Sequence, residues 1–253
     1  MQISLIQLNI VWAQPSENIK KADFLIDSLP ETDLIILPEM FSTGFITQPN
    51  GIAENENGET LHWMVKKAKE RNAAIAGSIA VESKEHFYNR FYFVEPDGKI
   101  TYYDKRHLFS YSGEDKSFTP GNKRVIVPFR GVRILLQVCY DLRFPVFSRN
   151  KGDYDLALYV ASWPTQRVKQ WLALLRARAI ENQCYVAAVD RVGKDPSCEY
   201  CGGTLLLDPF GETLAECPMN EETTVTGKID PDALKVYRKR FPAITDADNF
   251  TIE

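Results

Sequence analysis

No stretch of this 253-residue chain approaches the roughly 20 apolar residues that a membrane helix requires, so no membrane partner is expected. Basic charge is not in excess either. Lys and Arg number 30 against 34 Asp and Glu, a formal net charge of -4, which removes the main electrostatic contribution to phosphate-backbone binding and the expectation of a nucleic-acid partner. The opening Met1-Gln2-Ile3-Ser4-Leu5 reads as a strand rather than a basic segment before a long apolar core. No secretory signal is therefore expected, and the expected location is cytoplasmic. Paired histidines are missing, and among five cysteines only Cys198-Glu199-Tyr200-Cys201 has metal-like or redox-like spacing. A structural zinc site normally takes four N or S ligands, so two ordinary loop cysteines are the simpler reading, and no metal is expected. An odd cysteine count in a chain this long also argues against a disulfide framework.

What is present is apolar residue in quantity, 44% of the chain with 25% charged, which is enough for a full core. Strand-like runs cover 3–10, 33–37, 73–81, 91–94, 132–138, 155–160, 185–189 and 204–207. Between several of them, residues 17–29, 59–71 and 168–181 space their apolar positions three and four apart, as amphipathic helices do. Glu95-Pro96-Asp97-Gly98 and Asp208-Pro209-Phe210-Gly211 join β-rich runs through turn residues, so hairpins are mixed with crossovers and the sheets are expected to be mixed. The order strand, helix, strand, hairpin occurs twice, over 33–98 and again over 155–211. Such an echo predicts two similar units stacked sheet on sheet with helices outside. No Gly/Ser/Pro linker divides the halves, so residues 1–253 are read as one domain. The tail at 231–241 reads as a helix opened by proline.

Three apolar runs end in a reactive group: Leu34-Ile35-Ile36-Leu37-Pro38-Glu39-Met40-Phe41, Tyr102-Tyr103-Asp104-Lys105-Arg106-His107-Leu108-Phe109, and Leu136-Gln137-Val138-Cys139-Tyr140-Asp141-Leu142-Arg143-Phe144-Pro145. In open α/β sheets the pocket lies beyond the carboxyl ends of strands, where groups far apart in sequence converge. A carboxylate, an ammonium and a thiol form a complete set for cutting a C–N bond. Glu39 can take the thiol proton, while Lys105 and a backbone N–H such as that of Tyr140 can hold the negative charge that develops on the carbonyl oxygen. Taken singly, each has a plainer reading, as a loop cap, a surface charge or a packed thiol. His107 is an alternative base for Cys139.

At these stretches the chain resembles the nitrilase superfamily of carbon–nitrogen hydrolases, with L-P-E-M-F at the family's glutamate, Y-D-K-R-H-L-F at its lysine and C-Y-D-L-R-F-P at its nucleophile. R-A-R-A-I-E-N at 176–182 and the Asp208-Pro209-Phe210-Gly211 turn extend the likeness over nearly the whole chain. The resemblance implies a four-layer αββα sandwich, a homodimer or higher homo-oligomer, and a cofactor-free Glu39, Lys105, Cys139 triad supported by Glu114, with Asp115 as the neighbouring alternative. Within the superfamily the motifs resemble those of bacterial omega-amidases, which implies hydrolysis of the terminal amide of 2-oxoglutaramate or 2-oxosuccinamate. An acidic substrate needs a cationic partner, Arg143 or its rival Arg167, while Phe41, Tyr140 and Trp163 are expected to wall the pocket. Arg176 and Arg178 are expected to pair with Glu181. Other small-amide, carbamoyl-amine or nitrile hydrolysis would use the same triad. A non-catalytic binding protein on this scaffold, or a redox or zinc role for Cys198 and Cys201, are the alternatives outside that enzyme class.

Overall fold

The computed structural model describes residues 1–251. Its first half runs β1 (Gln2–Gln7), α1 (Pro15–Asp27), β2 (Leu34–Ile36), β3 (Glu54–Asn55), α2 (Glu59–Arg71), β4 (Ala74–Ser83), β5 (His86–Val94) and β6 (Ile100–Asp104). The second half runs β7 (Ile126–Phe129), β8 (Val132–Val138), α3 (Pro145–Ser148), β9 (Leu156–Ala161), α4 (Val168–Glu181), β10 (Tyr185–Asp190), β11 (Val192–Lys194), β12 (Glu199–Cys201), β13 (Leu205–Leu207), β14 (Thr213–Glu216), β15 (Thr223–Lys228) and α5 (Pro231–Arg240). One large sheet has the order β15-β1-β2-β4-β5-β6 with β3 attached to β4, the other β14-β13-β10-β9-β8-β7, and β11 and β12 pair as a separate two-stranded ribbon.

Both sheets are mixed, and they repeat one plan. In the first, β1, β2 and β4 are parallel, with β15 antiparallel on one side and β5 and β6 on the other. In the second, β8, β9 and β10 are parallel, flanked in the same way by β7 and by β13 and β14. The duplicated order read from the sequence is thus a duplicated topology.

Alternation along each strand decides the layering. Ile3, Leu5, Leu34, Ile36, Ala74, Ala76, Phe91 and Phe93 turn one way, into the cluster that also holds the second sheet, α4 and α5. Their neighbours Ile6, Ile35, Ile75, Tyr92 and Val94 turn the other way, onto Ala22 and Ile26 of α1 and Met64 and Ala68 of α2. A strand with two buried faces must be apolar at every position, which is why these runs read as continuous. Each fully buried Leu or Ile contributes roughly 1.5–3 kcal/mol. The result is the expected α/β sandwich of two mixed sheets with helices outside.

Some elements differ from the sequence reading. β4 and β5 continue into a hairpin through Lys84 and Glu85, which take φ values of 51° and 65°. A two-residue turn of this kind favours Asn or Gly, so its sequence carries no turn signal. β15 was not expected; it is a half-buried strand paired with β1 from more than 200 residues away, Gln2 opposite Lys228. α5 begins as read, with Asp230 capping the N–H groups of Asp232 and Ala233 at 3.0 and 3.1 Å. It docks on its own chain, where Arg238 donates to Asp155 Oδ1 and to the carbonyls of Tyr154 and Gln183. Arg178 pairs with Glu181 at 2.7 Å. Arg176 corrects the expectation, donating instead to Gly211 O and Thr213 Oγ1, because the β13–β14 turn lies against that side of α4. Among the described residues no helix is long and apolar enough to cross a membrane.

Candidate active site

The carboxyl ends of four parallel strands and of the antiparallel β6 deliver the polar groups. Glu39 follows β2, Lys105 follows β6, Cys139 follows β8, Ser162 follows β9 and Asp190 ends β10. Lys105 is anchored by its backbone: its N–H donates to Asn89 O at 3.0 Å, and its carbonyl accepts from Gly121 N at 2.9 Å. A Cβ on Gly121 would come within 2.0 Å of Asp104 O, so glycine is what lets the returning loop run along this strand end.

The Lys105 ammonium, fully buried, sits between two fully buried carboxylates, 2.9 Å from Glu39 Oε1 and 2.9 Å from Glu114 Oε2. Asn89 Nδ2 bridges the same pair, donating to Glu39 Oε1 at 2.8 Å and to Glu114 Oε1 at 3.0 Å. The other Glu39 oxygen accepts from Ser162 N at 2.8 Å. Glu114 also closes its own loop by accepting from Phe109 N at 2.6 Å, whereas Asp115 is exposed. Buried charges persist only when paired and hydrogen-bonded, and here each is. Burial works against the ammonium, but Glu114 and then Glu39 outweigh it, so the Lys105 pKa rises and the charge is kept. Burial raises the Glu114 pKa, with Lys105 pulling it down and Glu39 pushing it up.

Cys139 opens a 3-10 turn, Cys139–Arg143, with φ of 46°. A non-glycine residue in that region is held there by its surroundings, here with the thiol turned to the cavity. Burial first, and then the Glu39 carboxylate, raise the thiol pKa well above its usual 9.0, against the pull of Lys105. The resting arrangement at neutral pH is thus a thiol with the Glu39 and Lys105 side chains beside it.

A cavity of about 550 Å³ lies over Cys139, lined among others by Trp12, Phe45, Phe109, Tyr140, Trp163 and Cys198. Arg143 and Arg167 line it as well. Their guanidiniums lie 4.8 Å from the Trp163 ring and 5.4 Å from the Phe109 ring, and among the described residues neither has a carboxylate within ion-pair distance. Among the described residues Asp195 is the one carboxylate in the lining. Its oxygens are already engaged by Ser197 N, Cys198 N and Tyr200 OH.

The structure therefore brings together Glu39, Lys105, Glu114 and Cys139 and puts Tyr140, Trp163, Arg143 and Arg167 in one wall. Phe41 is a correction: it is fully buried in the cluster beneath α1 and α2, 5.8 Å from the Trp63 ring, because it packs down beside Gly77 of β4 rather than toward the cavity. His107 is not the partner of Cys139 either; its Nδ1 donates to Asp141 Oδ1 at 2.7 Å. Cys201 is buried in β12, away from the lining that Cys198 joins. Asn89 was missed, though an Asn inside the aromatic run Phe87-Tyr88-Asn89-Arg90-Phe91 is a signal of a buried polar duty. Ser162 was missed because it acts through its backbone.

The family model described as carbon-nitrogen hydrolase matches residues 2–239. Omega-amidase YafV of Escherichia coli (strain K12) is 45% identical over 255 residues, covering 100% of this chain and 98% of that protein. The 2-oxoglutaramate amidase of Bacillus subtilis (strain 168) is 36% identical, with 96% of each chain covered. Among solved structures, XC1258 from Xanthomonas campestris, a CN-hydrolase superfamily protein with an arsenic adduct in its active site, superimposes with a TM-score of 0.97 at 42% identity, over 100% of this chain and 99% of that one. Saccharomyces cerevisiae Nit3 shares the fold, with a TM-score of 0.85 at 23% identity over 96% and 94% of the two chains.

Proposed function

This chain belongs to the carbon–nitrogen hydrolase family, and from that premise we propose that it is an amidohydrolase of the omega-amidase type, releasing ammonia from the terminal amide of a short 2-oxo acid, 2-oxoglutaramate or 2-oxosuccinamate. The observation that carries the substrate class is full-length identity of 45% to an omega-amidase.

In this reading the Cys139 sulfur attacks the amide carbon while its proton passes to Glu39. Negative charge builds on the carbonyl oxygen, where the Lys105 ammonium and the Tyr140 N–H, one of the acceptor-free donors that open a helical turn, stabilise it. The Glu39 proton then goes to the departing nitrogen, ammonia leaves, and the acyl group remains on sulfur as a thioester. Glu39 next takes a proton from water, the hydroxide adds to the thioester, and the carboxylate product departs as the thiol is restored. Glu114 keeps Lys105 charged and aimed. No step calls for a metal or cofactor.

Substrate charge follows from the cavity wall. Arg143 and Arg167 are free to fork a carboxylate, and the one lining carboxylate already accepts three hydrogen bonds. A 2-oxo acid presents only the anion that such a wall attracts, whereas the 2-ammonium of glutamine meets two guanidiniums and no unengaged anion. The test is ammonia release measured in parallel from 2-oxoglutaramate, glutamine, asparagine and a simple nitrile, with Cys139→Ala as control. Turnover is expected with 2-oxoglutaramate foremost and none in the variant. Preference for glutamine or the nitrile would overturn the substrate assignment.

A further inference from the structure

Two of the motifs contain more polar groups than the reaction uses: Tyr103 and His107 flank Lys105 two positions to either side, and Asp141 lies two positions after Cys139. In the fold these groups meet. The Asp141 carboxylate is fully buried and accepts four hydrogen bonds. Oδ2 accepts from Tyr103 OH at 2.8 Å and from Val138 N at 2.9 Å. Oδ1 accepts from His107 N at 3.1 Å and from His107 Nδ1 at 2.7 Å. The Tyr103 hydroxyl in turn accepts from Arg106 N at 3.0 Å.

The donors divide between two sheets. Val138 belongs to the strand that delivers the thiol; Tyr103 and His107 belong to the strand end that delivers the ammonium. The salt bridges of Lys105 run to Glu39, which follows β2 of its own sheet, and to Glu114 of its own loop. Through Glu39 they reach Ser162 N, after β9 of the other sheet, and the Cys139 side chain, but they do not hold the backbone of the Cys139 turn. The His107 ring adds a second contact between the same two segments, stacked on Phe144 at 4.0 Å and 6°.

We propose that Asp141 is a positioning residue, a strut that fixes the Lys105 strand end of one sheet against the Cys139 turn of the other. The proposal rests on the reading that Cys139 and Lys105 act on the same carbonyl. A carboxylate suits the task because four donors converge on it, and an amide would have to turn an NH₂ toward one pair of them. Val138 N–H held by Asp141 also helps keep Cys139 in its left-handed backbone. Losing the strut lets ammonium and sulfur drift relative to each other without touching the cavity wall, and a misplacement of about 1 Å can cost on the order of 100-fold in rate.

The test uses the full-length protein with 2-oxoglutaramate, comparing wild type, Tyr103→Phe, Asp141→Asn, the double variant and Cys139→Ala for kcat, KM, melting temperature and the rate of Cys139 alkylation by iodoacetamide. Tyr103→Phe is expected to lower kcat roughly 10-fold, less than Asp141→Asn, with KM little changed and alkylation intact, since one of the three bonds from the ammonium side is lost, the two from His107 remain and the thiol stays accessible. The double variant is expected to be no worse than Asp141→Asn, because both cut the same link. Should Asp141→Asn not fold, Tyr103→Phe alone decides. A melting temperature that falls while kcat stays at the wild-type value would make Asp141 a fold-holding residue only and overturn the proposal. Turnover that survives Cys139→Ala would overturn the reading of the site, and this inference with it.

Discussion

At Cys139 the burial of the sulfur and the charge of Glu39 keep the proton on, and Lys105 pulls it off. The thiolate should therefore appear at higher pH than the value of about 8.5 for a free cysteine. Glu39→Gln removes a charge that raises the thiol pKa and leaves the one that lowers it. Alkylation of Cys139 followed against pH should show its inflection moving down in Glu39→Gln, while amide turnover falls by about 10²–10⁴. A more acidic thiol in a less active enzyme is the signature of a base; an inflection that moves up would contradict that role. The same residue shows why Glu39 was legible as chemistry but not as geometry. Its place at the end of an apolar run is written in the sequence, whereas its bonds to Asn89, Ser162 and Lys105 come from three strands that only the fold brings together.

Elements with a strong period were readable, and those held by distant partners were not. α2 and α4 lie where their apolar spacing put them, Glu59–Arg71 and Val168–Glu181, since a helix carries its own pattern. β15 is specified by its pairing with β1, and the Lys84-Glu85 turn by the sheet around it. α5 depends on one buried knob, Leu234, and on Arg238. Arg238 shares Asp155 with Arg133. Burial raises the Asp155 pKa, but the bonds and charge of Arg133, and then Arg238, outweigh it and hold it below the usual 3.8. A depressed carboxyl contributes stability above its unfolded pKa and loses it as pH falls through the folded one. Arg238→Ala should thus cost roughly 1.5–3 kcal/mol at pH 7. Its deficit against wild type in urea melts should shrink below pH 4 as Asp155 is protonated. A deficit independent of pH would assign the loss to packing instead.

The whole molecule is a doubled sheet whose strands end at one site. The repeated order of elements announced two sheets stacked with helices outside, but the exact placement of one sheet on the other, which sets Cys139 beside Glu39 and Lys105, is a long-range fact with no local signal. Phe41 illustrates the limit, because an aromatic two positions from a reactive carboxylate can face a pocket or a helix, and Gly77 beneath it decides for the helix side. The central claim is that sulfur at position 139 carries the acyl group of the substrate. Rapid quenching of the wild-type enzyme during turnover of 2-oxoglutaramate, followed by intact-mass and peptide analysis, addresses it directly. The expected result is a mass increase equal to the substrate less ammonia, confined to the peptide containing Cys139. Full ammonia release with no acylated protein on the approach to steady state, or acylation at any other residue, would contradict the account.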